Sequence, residues 1–223
     1  MDATNDLLKE HHTLIGGTTG SGKSTFIQAL MYKALELPPS RCQFVLIDLK
    51  RVELIDYAHA PHTLYYAQDI TQALHALDVL INIMETRFQE MQAQRVKETN
   101  RAHIYIIIDE LADLMSTAPK DVTARLNKIG RLGRASHIHL ICCTQDPTRR
   151  TISASIQQNF TCCIALRCKS SIESRQVIGV SGAELLPRYG KGIRWDASGI
   201  YYVDIKLIPQ QLINNRLKKW GAL

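Results

Sequence analysis

Residues 12–24 read His-Thr-Leu-Ile-Gly-Gly-Thr-Thr-Gly-Ser-Gly-Lys-Ser. The first five are a short apolar strand pattern, and Lys23 to Leu35 carry a helical one. Gly17 to Ser24 is a full Gly-x4-Gly-Lys-Ser match. Strand, glycine loop and helix, in that order, are the setting in which this motif binds phosphate. Glycines let the backbone curl until successive N–H groups face an anion, and the helix N-terminus adds a favourable partial charge. Gly17, Thr18, Thr19, Gly20, Ser21, Gly22, Lys23, Ser24 and Thr25 are therefore the expected ATP-binding set. Lys23 should reach the β- and γ-phosphates, and the Ser24 hydroxyl should ligate Mg2+.

The surrounding sequence predicts an α/β fold. Short apolar runs rich in β-branched residues recur at His12–Gly16, Gln43–Leu49, Ile104–Asp109, Ile138–Thr144 and Thr161–Leu166. Such runs suit strands buried on both faces of a mostly parallel sheet flanked by helices. The clearest helix runs from Asp69 to about Glu98. Its apolar stripe is Ile70, Leu74, Leu77, Ile81, Met84, Phe88 and Met91. Near the end, Gly192–Trp195 and Gly199–Asp204 predict a C-terminal β-hairpin, and Pro209 opens a last helix through Trp220. With no repeat and no long linker, residues 1–223 are expected as one domain with residues 1–11 as a lead-in.

A second strand completes the site. Ile104 to Ile108 deliver Asp109 and Glu110 at their C-terminal end, the edge where an open parallel sheet binds ligands. Asp109 should hold the Mg2+ shell, and Glu110 should take the proton of the attacking water. That adjacent glutamate favours hydrolysis over transfer to a metabolite. The strand Ile138–Thr144 ends at Gln145, whose amide could bond the γ-phosphate or the water.

Of the 223 residues, 45% are hydrophobic and 22% charged, which excludes a disordered chain. Residues 1–119 hold 10 basic and 15 acidic side chains, whereas residues 120–223 hold 17 and 6. The net +6 is thus concentrated in the C-terminal half, where a polyanion would dock. No apolar run is long enough to span a membrane, and the N-terminus is too polar for a secretory signal, so a cytoplasmic location is expected. The adjacent pairs Cys142–Cys143 and Cys162–Cys163 lie in strand patterns, where neighbours point to opposite faces. They, Cys42 and Cys168 are expected as buried, reduced thiols. His137 and His139 would share a strand face, but no third ligand at metal spacing accompanies them.

The segments GGTTGSGKST, VLIDLKRVEL, IMETRF, IIIDELADLM, RLGRASHIHLICCTQDP, IALRCKSSIESRQVIG and GAELL follow one another over about Leu14 to Val203. In content and order they resemble the motor domain of FtsK/SpoIIIE-type DNA translocases. The resemblance implies a RecA-like P-loop NTPase core, a hexameric ring with ATP between subunits, and double-stranded DNA in the pore. It implies that Arg134 reaches a neighbour's ATP, with Arg87 a second candidate for that role and Arg131 a weaker third. Among the DNA-facing positions it implies, Arg175 is retained and Gln157 stands at another; nearby Arg149, Arg150, Arg167 and Lys169 are expected to take over phosphate contacts, which tolerate a shift of a few residues.

The sequence departs from the family at three basic positions, where Asp146, Gln157 and Ser171 stand instead. It also shows neither a helper domain before the core nor a winged-helix module after it. A small stand-alone motor, as in mobile elements, or a trimmed core would account for this. A related ring moving protein, or a coupling module in conjugation or secretion, is the alternative.

Overall fold

The computed structural model describes residues 7–222; the polar N-terminal residues 1–6, within the expected lead-in, lie outside it. Eight strands form one sheet: β1 (His12–Gly16), β2 (Cys42–Ile47), β3 (Thr63–Ala67), β4 (His103–Ile108), β5 (Ile138–Thr144), β6 (Cys162–Ala165), β7 (Lys191–Asp196) and β8 (Gly199–Asp204). Their spatial order is β3-β2-β4-β5-β1-β6-β7-β8. The first six run parallel and the last two form the expected antiparallel hairpin.

Helices α1 (Lys23–Ala34), α2 (Ile70–Gln94), α3 (Leu111–Thr117), α4 (Pro119–Leu132), α5 (Ala154–Gln157), α6 (Ser171–Ile178) and α7 (Gln210–Lys219) connect and cover the strands. Each face of the sheet has its own apolar core. Cys142 and Cys163 face one, Cys143 and Cys162 the other, as strand alternation requires. All six cysteines are free and buried.

Helix α2 is capped by Asp69, whose side chain accepts the Gln72 N–H at 2.9 Å. It stops at Gln94, four residues before the expected end, because Arg95 turns left-handed with φ 55°. Its buried face is rotated from the expected stripe. Ala73, Ala76 and Leu80 are buried with Leu77, Met84 and Met91, while Ile70, Leu74, Ile81 and Phe88 flank the contact. Strand β3 was not legible as an apolar run because it lies at the sheet edge, with Ala67 its one buried residue. Helices α3 and α4 meet at Pro119, a first-turn position where proline is tolerated.

The N-terminal edge of the parallel strands carries a histidine cluster. His103 Nδ1 lies 2.9 Å from His139 Nε2, and the His103 and His137 rings stack at 4.0 Å. His139 Nδ1 is 3.2 Å from the His11 carbonyl, and His12 Nδ1 accepts the Leu140 N–H. His137 does not share the strand with His139: it precedes β5 at φ 54° and contacts Glu98 and the Arg101 carbonyl. Among the described residues the one group of three close ligand atoms is Glu10, Cys162 and Asp196, and Arg194 already pairs with both of its carboxylates.

Burial, reinforced by His11, lowers the His12 pKa to about 4. Burial and the surrounding histidines lower His139 to about 3. Unfolding releases both rings to titrate near the ordinary 6.5, so stability is lost as pH falls through that value. Each ring should remove about 2 kcal/mol by pH 5. The urea midpoint is therefore expected to drop between pH 7 and pH 5, and a flat profile would contradict a cluster held neutral by burial.

Candidate nucleotide site

Strand β5 lies between β1 and β4, so three strand ends converge at one edge. In register, Gly16 pairs Thr144 and Ile108 pairs Cys142. The chain therefore leaves β1, β5 and β4 at nearly one level, carrying the glycine loop, Gln145 and the Asp109–Glu110 pair. Two glycines let the loop turn: Gly20 at φ 71° and Gly22, the residue before α1, at φ 97°. A β-carbon at Gly20 would also stand 3.2 Å from Arg188 Nη2, so this arginine lies against the loop. No sequence motif pointed to Arg188.

Lys23 is buried, and its Nζ donates to the Asp109 carbonyl at 2.9 Å. It also lies 3.5 Å from Asp109 Oδ1 and 3.4 Å from Glu110 Oε2. Burial opposes its charge, but Cys143, Asp109 and Glu110 together outweigh that and hold its pKa above the ordinary lysine value. Asp109 has the reverse problem. Burial pushes its carboxyl up to about 6, the Lys23 charge pulls it down, and Glu53, Asp48 and Glu110 add to the rise. By pH 5, protonating Asp109 returns about 1 kcal/mol, less than the histidines remove by that pH. Asp109 Oδ1 is buried without a hydrogen-bond partner.

Glu110 caps α3 and accepts the backbone N–H of Ala112 at 3.2 Å. Both its oxygens also accept the Gln145 N–H, at 3.1 and 3.0 Å. Gln145 Oε1 in turn accepts the Thr19 hydroxyl at 2.6 Å. Glycine loop, Gln145 and Glu110 are thus one hydrogen-bonded series. Lys50, beyond β2, ion-pairs with Asp113 at 3.4 Å and lies 4.0 Å from Glu110. Lys50 belongs to the quoted VLIDLKRVEL segment, where its position after a buried strand was the available signal.

The FtsK/SpoIIIE family model matches residues 3–105 and 97–149. The chain belongs to this family. DNA translocase FtsK of Mycobacterium tuberculosis (strain CDC 1551 / Oshkosh) is 35% identical over 215 residues, covering 84% of this chain and 26% of the relative. DNA translocase SftA of Bacillus subtilis (strain 168) is 37% identical over 206 residues, covering 84% and 21%. The chain thus spans about a quarter of the curated relatives it matches. Among solved structures, the monomer form of the pCW3 conjugation coupling protein TcpA with ATPγS gives a TM-score of 0.80 at 22% identity. That match covers 95% of this chain and 66% of TcpA. It fits the RecA-like P-loop core, with its parallel sheet and terminal hairpin. Among the described residues no helix is long and apolar enough to cross a membrane.

Within this FtsK/SpoIIIE core the expected arginines separate. Arg134 is exposed in the loop between α4 and β5. That loop is at the N-terminal end of β5, a seven-residue strand about 20 Å long, so Arg134 is remote from its own glycine loop. Arg87 is buried, and its guanidinium donates to the Ser136 carbonyl. Its side chain thus anchors the loop that carries Arg134. Arg131 is exposed on the last turn of α4, its Nε bonded to the Asn127 carbonyl.

Arg149, Arg150, Arg167, Lys169 and Arg175 are all exposed. Among the described residues none of these five pairs with a carboxylate, whereas Arg101, Arg125 and Arg216 do. Gln157 stands apart: its amide donates inward to the Gln176 carbonyl, and Gln176 donates to the Ile152 carbonyl. It ties α5 to α6. The Thr18 N–H donates to the Arg167 carbonyl at 2.9 Å, which places that residue directly beside the nucleotide loop.

Proposed function

We propose that this chain is the ATP-hydrolysing core of a motor that moves double-stranded DNA through a hexameric ring. The observation that carries the reading is the shared sheet edge. The nucleotide loop and the loops with the unneutralised Arg149, Arg150, Arg167 and Lys169 leave the same ends of adjacent strands. Thr18 bonds to Arg167, and Thr19 bonds to Gln145, whose loop leads to Arg149. Phosphate occupancy therefore has a short mechanical route to the basic loops.

In this reading the loop N–H groups and Lys23 bind the phosphates. Glu110, held by the Gln145 N–H, takes a proton as water attacks the γ-phosphorus and the bond to the β-phosphate oxygen breaks. Gln145 orients that water. Ser24 and Asp109 would hold Mg2+, which would neutralise phosphate charge. The buried Asp109 Oδ1, which accepts no hydrogen bond, fits a cation ligand. Arg134 completes the site of a neighbouring subunit. Exposed basic side chains contacting phosphates read charge rather than sequence.

The test is steady-state ATP turnover with and without long linear double-stranded DNA at two salt concentrations. Turnover should rise with DNA, and the rise should fade steeply at higher salt. Turnover indifferent to DNA at both salts would overturn the DNA assignment and favour a protein-moving ring or a coupling module. Asp146, exposed where the family has a basic residue, is the observation on that side.

A further inference from the structure

The loop after β2 brings in a carboxylate that the mechanism above leaves unused. Asp48 accepts the N–H groups of Arg51 at 2.9 Å, Val52 at 2.9 Å and Leu54 at 3.0 Å. These three bonds wind residues 48–54 into a fixed turn, with Arg51 left-handed at φ 59°. Glu53 stands between two of the anchored residues. Its Oε1 accepts the Ser24 hydroxyl at 2.6 Å, joining this turn to the first turn of α1.

The direction of that bond matters. A hydroxyl that ligates a cation must offer a lone pair and send its hydrogen elsewhere. Here the Ser24 hydrogen is committed to Glu53, so the lone pairs remain for a cation. On the other side stands Asp109 Oδ1, buried, with no hydrogen-bond partner and with Lys23 Nζ at 3.5 Å. One oxygen is thus set in orientation, and the other has the Lys23 charge beside it but no hydrogen-bond donor.

We propose that Glu53 is a positioning residue of the cation site, fixing the Ser24 hydroxyl in its ligating orientation and accepting hydrogen bonds from water on a divalent ion. The inference rests on Ser24 and Asp109 being the Mg2+ ligands. A simpler role would be mechanical, with Glu53 only tethering the 48–54 turn to α1.

Glu53→Gln separates the two roles. The amide keeps an acceptor oxygen for Ser24, so the tether survives, but the negative charge and one acceptor site are lost. The probe is fluorescent mant-ADP, with binding to the full chain followed as Mg2+ is titrated and again in EDTA. The Mg2+ concentration for half-maximal binding should rise at least about tenfold, as measured when partners of metal ligands are removed. Affinity in EDTA and the melting temperature without ligand should stay at the wild-type level. An E53Q Mg2+ titration that overlays the wild type would overturn the positioning role alone. Wild-type binding that ignores Mg2+ would overturn the Ser24–Asp109 assignment and this inference with it.

Discussion

Glu110→Gln should lower ATP turnover by at least about a hundredfold while nucleotide binding persists. A positioned general base contributes roughly 10² to 10⁴ in rate, and the amide cannot take the water's proton. The glutamine keeps the length of the side chain and one acceptor oxygen for the Gln145 N–H, so the series from the glycine loop through Gln145 can remain. Lys23 keeps its bond to the Asp109 carbonyl. Equilibrium binding of mant-ATP should therefore be near wild type, with single-turnover hydrolysis nearly absent. Turnover within tenfold of wild type would remove Glu110 from the base role. Loss of binding together with turnover would mean that the substitution had collapsed the site.

The second large effect is expected at Arg134. An arginine that stabilises transferring-phosphoryl charge from a neighbouring subunit is worth about 10³ or more in turnover. The geometry favours action between subunits, because Arg134 leaves the opposite edge of the sheet from its own nucleotide loop. Arg134→Ala alone should thus be nearly inactive with normal ATP binding. Mixing it with Glu110→Gln subunits gives the decisive result. An R134A subunit retains Glu110 and can receive Arg134 from an E110Q neighbour, so two inactive proteins should regain part of the activity. No recovery, under conditions where subunits exchange, would argue for action within one subunit or for no catalytic role.

The separation of Arg87 from Arg134 shows the limit of reading residues along the chain. Both lie in family-like segments, and only the resemblance ranks Arg134 above Arg87; no local physical feature of the sequence does. Packing does: α2 buries Arg87 against the Ser136 carbonyl, while the loop that Ser136 belongs to projects Arg134 outward. Gln157 is similar, since its pairing with the Gln176 carbonyl depends on α6 folding beside α5. Glu53 was also hidden, although its segment was quoted. Its role emerges only when the turn built on Asp48 closes over α1.

The phosphate loop, the paired carboxylates, the parallel sheet and the hairpin can all be read along the chain. These are local: a glycine pattern sets the turn, continuous β-branched runs set strands buried on both faces, and a strand end sets where its next two residues stand. Even the opposed Cys142–Cys143 and Cys162–Cys163 pairs follow from the two-residue period of a strand. Packing sets the rest: the strand order that puts Gln145 between Gly17 and Glu110, the edge strand β3, the rotation of α2, and which arginines are exposed. Each depends on which elements become neighbours: periodicity marks which face of an element is buried but not which distant element covers it.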